Sequence, residues 1–123
     1  MSGTYEDLEV WREAMSFVVE VYRATHSFPK QETYGLSAQL RRASISIPSN
    51  IAEGKGRSSD KELLHFLSNA RASLYELQTQ VTLAHRLGLL NIEQARNLSS
   101  RAASVGRLLN GFIRSFHVVE RAA

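Results

Sequence analysis

Glu62-Leu63-Leu64-His65 is the stretch whose residue types and spacing come nearest to metal chemistry, because di-iron bundles take Glu-x-x-His from two helices and further glutamates from two others. It has no second copy. On a helix with Leu63, Leu67 and Ala70 inward, both of its polar side chains point away from that seam. His26, His65, His85 and His117 are scattered, and none follows an arginine by four to six residues, the spacing that some helical RNases use. The chain has no cysteine, which excludes a thiolate zinc site and a disulfide framework. No catalytic residue, metal or cofactor is expected, and the chain reads as non-enzymatic. Asn50, with Glu53 three residues on, reads first as a polar residue fixing helix register and second as a ligand-contacting pair.

Arginine is the chemistry that remains. The net charge of +3 is unevenly placed: six acids face three bases up to Tyr34, and six face twelve from Gly35 onward. Twelve of the 15 bases are arginine, whose planar fork of donors suits phosphate. On a helix, Arg96, Arg107 and Arg114 fall within about 20° of one another and span about 27 Å, with Arg121 joining if the helix reaches it. Such a row can track a phosphate backbone, although a solvated helix face gives the same pattern. Arg41, Arg42 and Arg57 are weaker candidates for the same contact. Few aromatics interleave with these bases, so any nucleic acid would be held by charge and shape.

The elements that must position these groups are helices. Leu8, Trp11, Met15, Val18 and Tyr22 form one seam of a first helix, about 5–25, and Val10, Ala14, Phe17, Val21 and Ala24 a second apolar line beside it. Phe28-Pro29 ends that helix. A second, about 35–54, carries Leu36, Leu40, Ala43, Ile47, Asn50 and Gly54 at alternating steps of four and three, the spacing of a core-facing seam. Pro48 lies inside it, where a missing donor and a clash cost about 3 kcal/mol. The spacing keeps its phase through Pro48, which predicts a kinked helix, while the bias at Ile47 allows a break. Gly54-Lys55-Gly56 supplies the glycine expected past its end.

Ser59 to Glu62 is a capping box opening a third helix, about 59–87, with Leu63, Leu67, Ala70, Leu74, Leu77, Val81 and Ala84 inward. Gly88 stops it. Asn91 and Gln94 open a fourth, about 91–119, along Ala95, Leu98, Ala102, Val105, Leu109, Phe112, Phe116 and Val119. Four helices joined by short connections predict one all-α domain over 1–123, an up-down-up-down antiparallel four-helix bundle.

Two faces exceed what a lone bundle needs. Ala38, Ile45 and Ala52 recur every seven residues on the back of the second helix, and the first helix is apolar over too wide an arc. Val10, Ala14, Phe17, Val21, Ala38, Ile45 and Ala52 are the residues expected to meet another subunit. Acidic residues near the start and the lack of a long apolar run argue against a signal peptide or membrane span, so a cytoplasmic protein with no membrane partner is expected.

From Arg42 to Gly54 the chain resembles the family of 23S rRNA intervening-sequence proteins, often called four helix bundle proteins. The carrying residues are Ser46, Ile47, Asn50, Ile51, Ala52, Glu53 and Gly54, with Tyr5, Leu8, Val10 and Trp11, Glu62 to Leu67, Ala70 to Glu76 and Leu87 to Leu90 extending the likeness over nearly the whole length. The resemblance implies a small bacterial protein with relatives encoded inside ribosomal RNA genes, a ring-shaped homo-oligomer, specifically a pentamer, and no established enzymatic activity. A pentameric bundle similar to the family assists reverse transcriptases of diversity-generating retroelements, and this chain lacks the strongly basic balance of that protein. The expected partners are other copies of the chain and structured RNA or a ribonucleoprotein. A protein-interaction scaffold without nucleic acid is the alternative.

Overall fold

The structure, a computed structural model, describes residues 3–33 and 35–122, with side chains described to residue 116 in the last helix. Four helices carry the chain: α1 (Glu9–Thr25), α2 (Leu36–Lys55), α3 (Asp60–Arg86) and α4 (Ile92–Ala122). Each packs on the next and α4 closes back on α1, forming a square whose short connections reverse the chain at each corner. This is the antiparallel bundle that the periodicity predicts. Among the described residues there is no strand, and no helix is long and apolar enough to cross a membrane.

Local chemistry sets the helix ends. Thr4 and Asp7 close a separate 3-10 turn over Tyr5–Asp7, with Thr4 Oγ1 accepting from the Glu6 amide at 3.2 Å and Asp7 Oδ2 from the Thr4 amide at 3.0 Å. Leu8 is then extended, so α1 starts at Glu9 and not at Tyr5. At α3, Ser59 Oγ accepts from the Glu62 amide at 3.2 Å. The box at α4 is reciprocal: Asn91 Oδ1 accepts from the Gln94 amide at 2.8 Å, and Gln94 Oε1 from the Asn91 amide at 2.9 Å. Gly88 has φ 79°, the left-handed conformation that lets the Leu89 amide reach back to the Ala84 carbonyl at 2.9 Å.

α2 runs unbroken through Pro48, which excludes the break that Ile47 allowed. Pro48 has no amide, so the Ser44 carbonyl lacks its helical donor. Gly54 is not the terminator. The helix continues to Lys55, and its C-cap Gly56 has a right-handed φ of −81°. Gly54 instead lies buried against α3, where a Cβ would come within 2.9 Å of Phe66 Cβ and 3.3 Å of the Leu63 carbonyl.

All seven α3 seam residues are buried. On α2, Leu40, Ala43, Ile47 and Ile51 fill the core, and Ile51 takes the inward place expected of Asn50, which is half-buried. On α4, Ile113 points inward while Phe112 and Phe116 pack half-buried at its edge; Val119 lies outside the described side chains.

α1 reverses the expectation. Val10, Ala14, Phe17 and Val21, expected at a subunit interface, are at most 5% exposed and form the core. Met15 and Tyr22 of the expected seam are 42% and 39% exposed. Phe17, the largest side chain of this line, is buried between Ala14 and Val21 and fills the core from α1.

Candidate nucleic-acid interface

Arg71 of α3 and Arg107 and Arg114 of α4 converge on a groove of about 420 Å³ between these helices. Its floor is set by Leu74, Ala102 and Gly106, and a Cβ on Gly106 would stand 3.3 Å from Leu74 Cδ2, so the glycine lets the helices close. Arg71 Nη1 donates to Asn110 Oδ1 across the groove at 3.3 Å, and Arg107 Nη2 donates to Ser104 Oγ at 3.1 Å. Gln78 lines the same groove, and Tyr75, also lining it, is 56% exposed. Among the described residues no carboxylate lines it. Three planar cation forks without a counter-charge form a surface suited to bridging anionic oxygens.

The structure divides the six arginines selected from the sequence. Arg107 and Arg114 share the groove, whereas exposed Arg96 lies eleven residues before Arg107, about 16 Å along the helix, and does not line it. Arg57 pairs with Glu53 at 3.1 Å and lies over the Phe66 ring at 4.6 Å. Arg41 and Arg42 lie on α2 and do not line the groove; Arg42 lines a separate pocket with Ser73 and Glu76 of α3. Arg121 lies outside the described side chains. Sequence reasoning missed Arg71, Tyr75 and Gln78, which follow the i, i+4, i+7 spacing of one α3 face. That spacing was legible. Which face of α4 it meets was not.

A second groove, of about 310 Å³, runs between α1 and α2 and is apolar: Trp11, Met15, Val18, Ile45, Pro48 and Ala52 line it. Ile45 and Ala52 of the expected outward line are here, beside the α1 seam that was expected inside. Ala38 is not, and lines a polar pocket nearer the start of α2.

Asn50 and Glu53 do not share a site. Asn50 Nδ2 donates to the Ser46 carbonyl at 2.8 Å and to Ser46 Oγ at 3.0 Å, while exposed Glu53 faces Arg57. Glu62 Oε2 accepts from Ser59 Oγ at 3.1 Å as part of the α3 cap. Among the described residues no three histidine, aspartate or glutamate side chains cluster as metal ligands would.

A square antiparallel bundle with an arginine-lined groove on one side and an apolar groove on the other defines an all-α protein built around external surfaces. The chain belongs to the 23S rRNA-intervening sequence protein family, whose family model matches residues 6–111. It is similar to the crystal structure of a protein of unknown function from the S23 ribosomal protein family of Bacteroides thetaiotaomicron VPI-5482, at 22% identity and a TM-score of 0.76, over 85% of this chain and 97% of that one. That likeness concerns the fold. No curated protein matches the chain.

Proposed function

We propose that this chain is a non-enzymatic homo-oligomer, assembled as a pentamer, that binds structured RNA or a ribonucleoprotein by charge and shape through the α3/α4 groove. The observation that carries this reading is the convergence of Arg71, Arg107 and Arg114 on a surface that, among the described residues, holds no carboxylate. The family's name, taken from sequences that interrupt 23S rRNA, agrees with an RNA partner. Self-association is supported by the apolar groove, where Met15 and Ile45 are 42% and 41% exposed.

Binding to a structured RNA, followed by fluorescence anisotropy over a salt series, tests the electrostatic reading. Three neutralised phosphates give a slope of log affinity against log salt of about −2 to −3. Replacing Arg107 and Arg114 with glutamate removes most of that slope and most of the affinity. Salt-independent affinity, or unchanged affinity after the double reversal, overturns the proposal. A chain that binds no RNA at low salt but co-purifies with one protein is a protein scaffold instead.

A further inference from the structure

We infer that the pocket between the C-terminal end of α1 and the first turns of α2 binds a phosphate monoester of nucleotide size, with Arg41 and Arg42 on the phosphate and Tyr22 and Phe28 against the organic part. This site is separate from the α3/α4 groove, and it stands whether or not that groove binds RNA.

The pocket measures about 420 Å³, within the range of small-molecule sites. His26, Ser37, Arg41 and Arg42 bring polar groups to it, and among the described residues no carboxylate lines it. Glu32, the acid of the connecting loop, accepts from the Leu36 amide at 3.0 Å and is thereby engaged.

Arg41 is held ready. Its Nε donates to Thr25 Oγ1 at 2.9 Å, its Nη2 donates to the Tyr22 carbonyl at 3.4 Å, and its guanidinium carbon lies 4.4 Å from the Tyr22 ring centroid. Thr25 is fixed in turn, donating to the Val21 carbonyl at 2.8 Å. A guanidinium has five N–H groups, and these contacts use two. The rest are available in a fixed plane, so an anion meeting them pays little to order the side chain. Capping the last carbonyls of α1 accounts for one edge of Arg41. Arg42, exposed between this pocket and one that it lines with Glu76 of α3, adds a second fork.

Phe28 and Pro29 line the pocket beside Tyr22, so an apolar surface adjoins the arginines. Half-buried Phe28, with the part of the Tyr22 ring that Arg41 leaves uncovered, supplies the apolar surface that a base or sugar would cover.

Calorimetric titration of the full chain with adenosine 5′-monophosphate, adenosine, inorganic phosphate, and a short oligonucleotide with and without a 5′-phosphate tests the site. The monophosphate is expected to bind more tightly than adenosine or inorganic phosphate. Arg42→Gln, at an exposed position, is expected to weaken it by about tenfold or more while leaving the helical signal unchanged. Arg41→Lys keeps the charge but loses the fork and weakens it as well, whereas Arg114→Glu leaves it unaltered. Tighter binding of the phosphorylated oligonucleotide than of the monophosphate identifies a strand end as the source, the reverse order a free nucleotide, and either supports the site. Absence of binding by both phosphorylated ligands, equal binding of adenosine or of inorganic phosphate and the monophosphate, or an Arg42→Gln protein with unchanged affinity overturns it.

Discussion

The hydroxyls of Ser46 on α2 and Ser73 on α3 lie 2.8 Å apart, and Asn50 Nδ2 donates to the same Ser46 Oγ at 3.0 Å. This half-buried relay ties the two helices at one register, because a shift by one turn parts the Ser46 and Ser73 hydroxyls, the one contact of the relay that crosses between the helices. Ser46→Ala leaves Ser73 Oγ without its partner across the interface, while Asn50 keeps the Ser46 carbonyl, and is expected to cost about 0.5–1.5 kcal/mol. Adding Ser73→Ala is expected to cost less than the sum of the single changes by about 0.5 kcal/mol or more. Urea midpoints for the double-mutant cycle measure the coupling, and strict additivity rules out the relay.

Gly54 and Gly56 have opposite predicted signs. Alanine at Gly54 gains helix propensity but places a methyl 2.9 Å from Phe66 Cβ and 3.3 Å from the Leu63 backbone, so α3 must move and stability falls by about 1–3 kcal/mol. Alanine at Gly56 meets nothing closer than the Glu53 carbonyl, at 3.6 Å, with a φ that any residue adopts. It is expected to be neutral or slightly stabilising. Thermal melts of the two variants decide the matter, and a stable Gly54→Ala protein would contradict the close helix approach.

The same two glycines show what the sequence made legible. Helix number, order and most ends follow from seams and caps, since Ser59, Asn91 and Gly88 act through neighbours a few residues away. The role of Gly54 depends on Phe66 across the interface, which spacing along one helix does not reveal. α1 failed for a related reason. Its apolar arc is wide enough to hold two lines, and periodicity locates the arc without saying which edge turns inward. The edge that turns inward carries Val10, Ala14, Phe17 and Val21, while Trp11 is half-buried and Met15 exposed at the other. Arg107 and Arg114 were legible as one face of α4, but pairing them with Arg71 needed the neighbouring helix.

The reversed α1 faces give a paired prediction. Phe17, 1% exposed, belongs to the core, and Phe17→Ala is expected to lower stability by about 3–5 kcal/mol. Met15→Ser with Ile45→Ser, both exposed in the apolar groove, is expected to leave the helical signal intact and reduce the solution mass toward that of one chain. Light scattering measures that mass. An unsubstituted chain that is monomeric at micromolar concentration removes the pentamer and leaves the groove unassigned.

Tyr75 sharpens the expected RNA partner. Its ring is 56% exposed in the groove that also holds Arg71, Arg107 and Arg114, an arrangement in which an unpaired base can stack while phosphates meet the arginines. A continuous duplex offers no such base. Tyr75→Ala is therefore expected to weaken binding to a stem with a loop or bulge by about 1–3 kcal/mol and to leave binding to a plain duplex unchanged. Tyr75→Phe keeps the stacking face and restores the preference. The salt slope should be the same for the original chain and for Tyr75→Ala, because the tyrosine releases no counterion. Equal losses on both RNAs would mean that the ring shapes the groove instead of reading an exposed base, and recognition would then rest on the three arginines alone.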